Sequence, residues 1–125
     1  MKVLLDTHLL VWWLADAREL STEARTIIAA QENVVFVSAA SVWELRIKEA
    51  LGKIKLPADF GEVLEAQPFE ELAVTVAHAH EVSQLPMHHR DPFDRILIAQ
   101  ARSDGLTFLT HDEVVAKYEV DHALV

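Results

Sequence analysis

Four acidic residues lie in separate segments of this sequence, at places where a fold of alternating strands and helices would bring their carboxylates together. They are Asp6, Glu44, Asp94 and Asp112. Two unit charges 4 Å apart repel by about 4 kcal/mol at an effective dielectric constant of 20, so such a group without a basic partner either takes up protons or binds a cation. An all-oxygen site favours Mg²⁺ or Mn²⁺ over Zn²⁺. The predicted chemistry is metal-assisted hydrolysis of a phosphodiester bond.

The four acids are assigned different roles in this prediction. Asp6 is the central metal ligand and bridges the ions if two bind, Glu44 and Asp94 complete one site, and Asp112 contributes to a second site or lies behind the ligands. Two hydroxyl groups next to these acids are expected to orient a water molecule or a phosphate: Thr7 and Thr110. The alternative is that the four acids are unrelated helix caps and surface residues.

The elements that must position these acids alternate between strands and helices. Strands are predicted at 2–5, 34–37, 72–74 and 107–109, with 118–125 either an edge strand or irregular. Helices are predicted at 7–14, from 21 onward, at 39–51, 59–66 and 76–85, and from 91 to Gly105. This alternation predicts an α/β fold over residues 1–125, a single domain whose mainly parallel sheet of about four to five strands is flanked by helices on both faces. Such sheets bind ligands beyond the carboxyl ends of their strands.

The helix that begins near residue 91 carries two aspartates in its first turn. Asp91 is a suitable N-cap, Pro92 fits the first helical position, and Asp94 falls two residues later. Interaction with the helix dipole, worth up to about 1 kcal/mol, would explain both carboxylates without any ligand. The spacing to the apolar residues 96–99 favours Asp94 as the metal ligand and Asp91 as the cap or a supporting residue, and an exchange of these roles stays open.

Glu44 has a structural alternative of its own. The pattern Ser41-x-x-Glu44 matches a capping box, in which the glutamate reaches back to a backbone N–H at the helix start. If Ser38 is the true cap, Glu44 instead projects from the second turn of the helix and is available as a ligand.

Composition limits the possible classes of protein. The chain has 125 residues, 51% of them hydrophobic, and no cysteine, so neither disulfides nor thiolate metal sites are possible. The turn after Asp6 contains no glycine, which excludes a phosphate-binding glycine loop there. The apolar runs are too short to span a bilayer, and no secretory pattern begins at Met1. We therefore expect a cytoplasmic protein without a membrane partner.

The charge distribution leaves a nucleic-acid partner possible. A net charge of −9 would ordinarily argue against one, because phosphate binding relies on lysine and arginine. However, Arg46, Lys48, Lys53 and Lys55 lie within ten positions and directly follow Glu44. Arg46 and Lys48 are candidates for binding RNA phosphates beside the acids, and the alternative is a solvated helix face.

The histidines and tryptophans have several possible uses. His78 and His80, and likewise His88 and His89, lack the i, i+4 spacing of a helical zinc site, so we expect solvated or locally hydrogen-bonded side chains. Three tryptophans are expected mainly to pack in the core, although they could stack on bases or form an interaction surface: Trp12, Trp13 and Trp43.

The order of these motifs resembles that of the PIN-domain nucleases, and most closely that of the VapC-type toxins of bacterial type II toxin–antitoxin systems. The motifs are Asp6-Thr7-His8, Ser41-Val42-Trp43-Glu44, the segment 90–101 with its Asp-Pro-Phe-Asp-Arg core, and Leu109-Thr110-His111-Asp112. The resemblance implies a Mg²⁺-dependent endoribonuclease toxin with the four acids at its active site. It also implies a homodimer or toxin–antitoxin hetero-oligomer, in which a cognate antitoxin peptide lies across the active-site groove. His8 departs from the family pattern, since many relatives have Asn or Ser there.

Two other functions remain to be compared with this one. A PIN-fold binding or regulatory protein without catalytic activity would keep the same fold. A phosphoacceptor receiver domain would require a lysine at the end of a late strand, where this chain has Thr110-His111-Asp112.

Overall fold

Five parallel strands form the central sheet of the computed structural model, which describes residues 1–125. The strands are β1 (Lys2–Leu5), β2 (Val34–Ser38), β3 (Glu70–Leu72), β4 (Thr107–Thr110) and β5 (His122–Leu124). Their spatial order is β3-β2-β1-β4-β5, and every pairing is parallel. The predicted α/β class and parallel sheet are confirmed, and the last segment of the chain does form an edge strand.

Six α-helices and one short 3₁₀ helix cover this sheet. They are α1 (Thr7–Leu14), α2 (Thr22–Ala29), α3 (Ala39–Ala50), α4 (Phe60–Glu65), α5 (Val76–Val82), α6 (Pro92–Asp104) and the 3₁₀ helix Glu113–Lys117. None of the helices combines the length and the apolar composition needed to cross a bilayer.

The predicted position of β3 is wrong by two residues. The apolar run 72–74 indicated a strand there, but the strand comprises Glu70–Leu72, because its position is fixed by pairing with β2, with Phe36 opposite Glu70 and Ser38 opposite Leu72. β3 is an edge strand, so its side chains need not be apolar. The helix predicted at 76–85 likewise ends earlier, at Val82.

The core is divided into two clusters by the sheet. Val3 and Leu5 of β1 pack into a cluster with Leu9 and Leu10 of α1, whereas Leu4 packs on the other side with apolar residues of α6. This is the alternation expected of successive residues in a strand that is buried on both faces. The prediction that helices flank both faces of the sheet is therefore confirmed.

The strand order changes direction at β1. The chain runs outward from β1 to β2 and β3, and then returns to place β4 on the opposite side of β1. In open parallel sheets this change creates a crevice beyond the carboxyl ends of the two central strands. Asp6 directly follows β1, and Asp112 lies two residues after β4. The topology thus brings two of the predicted acids to this crevice.

Arg95 fixes the segment that leads into α6. Its buried guanidinium donates hydrogen bonds of 2.9–3.4 Å to the backbone carbonyls of Val82, Leu85, Pro86 and His89. The planar guanidinium can reach four acceptors at once because its donors form a rigid fork. Arg95 therefore joins α6 to the end of α5 and to the following loop.

We expect Arg95→Lys to destabilise the protein by about 2–3 kcal/mol, since one ammonium group cannot satisfy four carbonyls in that geometry. The measurement is urea-induced unfolding. Arg102→Lys is the matched control, because Arg102 forms a more exposed pair with Glu81 and should cost less than about 1 kcal/mol. Equal losses in the two variants would contradict the role assigned to Arg95.

Candidate active site

Asp6 lies at the junction between β1 and α1, with 4% of its surface exposed. One carboxylate oxygen, Oδ1, accepts the backbone N–H of His8 at 3.0 Å, and the other, Oδ2, accepts the hydroxyl of Thr110 at 2.6 Å. Burial by itself would raise the pKa of Asp6, but the hydrogen bonds from His8 and Thr110 outweigh it and lower that pKa. Asp6 therefore remains an anion at the crevice.

Glu44 is buried in the second turn of α3 and pairs with a lysine. Ser38 is the N-cap of this helix, accepting the N–H of Ala40 at 3.0 Å, so the capping-box interpretation of Glu44 is wrong. Lys48 lies one turn further on, with its Nζ 2.7 Å from Glu44 Oε2. The expectation that the acids have no basic partner is therefore wrong for Glu44, because an i, i+4 spacing places the lysine beside it. The second oxygen, Oε1, is buried without a hydrogen-bond partner.

Asp91 and Asp94 occupy different environments at the start of α6. Asp91 is exposed and caps the helix, accepting the N–H of Phe93 at 2.8 Å. Asp94 is partly buried, and its pKa is raised to about 6, first by burial and then by the charges of Asp91 and Asp6. The geometry is consistent with the predicted division between cap and ligand, and the ligand role of Asp94 stays a prediction.

Asp112 lies across the crevice and contacts a histidine that the sequence did not single out for the site. It accepts the N–H of Val114 through Oδ1, and its Oδ2 lies 2.9 Å from Nε2 of His89. The other ring nitrogen of His89 is 3.8 Å from Oδ2 of Asp94. His89 was expected to be solvated or locally hydrogen-bonded, but it is 15% exposed and lies between two acids. Its position just before the acidic helix start was the one sequence signal of this role.

The two predicted threonines differ in what they contact. Thr110 donates to Asp6 and accepts the N–H of Asp112 at 3.0 Å, so it positions two of the acids. Thr7 donates to the hydroxyl of Ser41 at 2.9 Å, and both groups are buried between α1 and α3. Contact of these two hydroxyls with water or phosphate stays a prediction, and in the structure both hold protein groups.

Two of the four basic residues that follow Glu44, Arg46 and Lys48, are paired with acids in this structure, whereas Lys53 and Lys55 are exposed. Arg46 pairs with Glu49 at 3.0 Å and lies over the ring of Phe60. The hydrogen bond to Glu44, outweighing burial, raises the pKa of Lys48, so the lysine stays charged and neutralises that acid. Both ion pairs join residues three or four positions apart on α3, where side chains lie next to each other on the helix surface.

The tryptophans are not all packed in the core. Trp12 and Trp13 are half-buried against the cluster formed with α1, as expected. Trp43 is 64% exposed, and its ring meets the ring of Phe93 edge-on at 5.3 Å. The core prediction is wrong for Trp43 because α3 buries Glu44 and Leu45, which leaves the preceding residue on the outer face.

A cleft of about 410 Å³ connects three of the four acids. Its lining comprises Asp6, His8, Asp94, His111, Asp112, Glu113 and Val114. No group of three or more His, Asp or Glu side chains is already arranged to hold a metal ion. Even so, the donors fit a hard divalent cation: they are carboxylates, one buried oxygen of Glu44 is unpartnered, and Asp94 is held close enough to Asp6 and Glu44 for their charges to raise its pKa.

We expect Asp94→Asn to stabilise the metal-free protein at pH 7 by about 2 kcal/mol. The pKa of Asp94 rises from its ordinary value of 3.8 to about 6 on folding, so its ionisation opposes folding. This penalty is absent below about pH 4, grows as the pH rises and is complete above about pH 6. Chemical unfolding in EDTA from pH 4 to 8 measures it.

The matched control for this prediction is Asp59→Asn. It removes the same charge from an exposed residue whose side chain makes no capping hydrogen bond, and its effect should be small at every pH. An Asp94→Asn variant no more stable than the wild type at pH 7 would contradict the crowding of acids described here.

Similarity to known proteins identifies the family of this chain. The family model of the PIN domain matches residues 3–120. No curated protein matches the sequence closely enough to count as a relative.

Several solved structures share the fold at low sequence identity. A VapBC2 complex from Rickettsia felis, bound to a DNA fragment from its promoter, has a TM-score of 0.76 at 14% identity, covering 99% of this chain and 98% of the other. DNA-bound VapBC from Salmonella typhimurium has a TM-score of 0.70 at 16% identity and 98% and 97% coverage. FitAcB from Neisseria gonorrhoeae has a TM-score of 0.67 at 22% identity and 96% and 95% coverage. With the family match spanning nearly the whole sequence, this chain belongs to the PIN domain family.

Proposed function

We propose that this PIN domain is a metal-dependent endoribonuclease and acts as the VapC-type toxin of a type II toxin–antitoxin module. The observation that carries the proposal is that Asp6, Asp94 and Asp112, from three separate segments, line one cleft where the strand order changes direction. Glu44 lies near enough for its charge to raise the pKa of Asp94. A PIN fold used only for binding would not need charges that oppose one another in a partly buried cleft.

In this proposal Asp6, Glu44 and Asp94 would hold the metal ion, and Asp112 would hold a second ion or orient the other three acids. Mg²⁺, or Mn²⁺ in its place, would polarise a phosphoryl oxygen and lower the pKa of a bound water. Thr110 keeps Asp6 and Asp112 in a fixed relation through its two hydrogen bonds. His89 lies near Asp94 and Asp112, and would stabilise their orientation or exchange a proton with the attacking water.

Lys48 has two successive roles in the proposed site. Before a cation binds, its ammonium neutralises Glu44 at 2.7 Å. With a cation bound at Glu44, the same ammonium would be free to bind an RNA phosphate. The substrate-binding role predicted for Lys48 would therefore belong to the loaded site, whereas that of Arg46 would require Arg46 to leave Glu49.

The proposed partner is a cognate antitoxin protein. The similar structures include those of VapBC2, VapBC and FitAcB, two of them bound to DNA. By analogy, we propose that this chain assembles as a homodimer with an antitoxin whose peptide covers the acidic cleft. An antitoxin would block the cleft most directly by placing a cationic side chain beside Asp6 and Asp94.

Purified protein freed of any antitoxin should cleave single-stranded RNA with Mg²⁺ or Mn²⁺ and lose that activity in EDTA. Asp6→Asn and Glu44→Gln should each reduce the cleavage rate more than about a hundredfold, because each removes a proposed ligand while nearly preserving shape. Asp59→Asn, with the same charge change at an exposed site, should cleave like the wild type.

The same assay distinguishes the alternatives. A DNA strand of equal sequence, tested in parallel, decides between ribonuclease and deoxyribonuclease activity. The absence of cleavage, together with no thermal stabilisation by Mg²⁺, would refute the nuclease and favour a catalytically silent PIN-fold binding or regulatory protein.

A further inference from the structure

Three rings meet at one side of the acidic cleft. The imidazole of His111, in the turn after β4, lies 4.8 Å from the ring of Trp12 and 5.7 Å from that of His8, measured between centroids. His8 and Trp12 are one turn apart on α1, and their rings are 6.0 Å apart. We call Trp12, His8 and His111 the aromatic cluster.

The two histidines of the aromatic cluster are largely exposed to solvent. The side chain of His8 is 61% exposed and His111 is also exposed, although each is in contact with other rings. Both histidines line the cleft that contains Asp6, Asp94 and Asp112. Trp12 is half-buried against the core, and both imidazoles contact its ring. The cluster therefore offers π surface to whatever enters the cleft.

We propose that the aromatic cluster is a stacking site for a nucleobase of the substrate, next to the phosphate held at the acids. This inference rests on the proposed nuclease function and adds a base-binding subsite to it. The position of His8 determines how far the aromatic cluster lies from the acids, since its Nδ1 is 3.6 Å from Oδ1 of Asp6. A base stacked on the cluster would belong to a nucleotide adjoining the one whose phosphate reaches Asp6.

A nucleobase fits this place better than an aliphatic ligand. The cleft around the cluster is lined mainly by acids and histidines, with Val114 as its single aliphatic residue. Every base presents a π face, so stacking holds a single strand without reading its sequence. Stacking of the base would add to the affinity for the strand. The surface around the cleft is acidic, and Arg46 and Lys48 are paired with glutamates, so these groups contribute little to that affinity.

The test is a scan of abasic substitutions in a short labelled RNA strand, with binding measured by fluorescence anisotropy in Ca²⁺ in place of Mg²⁺. For the wild type, removal of one particular base should weaken binding about five- to hundredfold. In His111→Ala the intact strand should bind correspondingly more weakly, and the penalty for that base should disappear. His111→Phe, which keeps a ring, should retain most of the penalty.

His80→Ala is the matched control, because His80 is an exposed histidine on α5 that does not line the cleft; it should give the wild-type pattern. Equal abasic penalties in the wild type and in His111→Ala, from a protein that still cleaves the intact strand in Mg²⁺, would overturn the stacking site and leave the nuclease standing. A wild-type protein that neither binds nor cleaves the strand would overturn both.

Discussion

The repulsion between carboxylates at the carboxyl edge of the sheet is the constraint on which the rest of this structure depends. The acids differ in what they contact: Asp6 accepts hydrogen bonds from His8 and Thr110, Glu44 pairs with Lys48, and Asp112 accepts the N–H of Val114 and lies 2.9 Å from Nε2 of His89. Asp94 has the weakest compensation, and its pKa rises to about 6 because of burial and the neighbouring charges. The metal-free site is therefore held together by contacts that a divalent cation can replace.

The fold supplies this arrangement through its topology and through one buried arginine. Because the strand order changes direction at β1, the residues after β1 and β4 must lie side by side. Arg95 then holds the loop before α6 through four backbone carbonyls, including that of His89. This helps to place the histidine within reach of Asp94 and Asp112, two acids that line the cleft.

Much of the fold could be predicted from the sequence. The features that could be predicted depend on neighbouring residues, and those that could not depend on residues distant in the sequence. Alternating strands and helices, and the acids that end or begin them, are local features, so the positions of Asp6 and Asp94 followed from the sequence. The bounds of β3 depend on pairing with β2. The place of His89 depends on residues more than 20 positions away: its N–H donates to the hydroxyl of Tyr118 at 2.6 Å, and its Nε2 lies 2.9 Å from Asp112. The i, i+4 spacing of Glu44 and Lys48 is visible in the sequence, which nevertheless predicts that Lys48 binds RNA phosphate. Only the structure shows that Glu44 is buried and therefore requires a partner.

The central claim is that these acids form a binding site for a divalent cation. Crystals of the protein grown with Mn²⁺, and measured for its anomalous scattering, test that claim most directly. The account predicts an anomalous peak between the carboxylates of Asp6, Glu44 and Asp94, with Lys48 displaced from Glu44. A structure in which Mn²⁺ is present in the crystal but bound elsewhere, with Lys48 still 2.7 Å from Glu44, would contradict it.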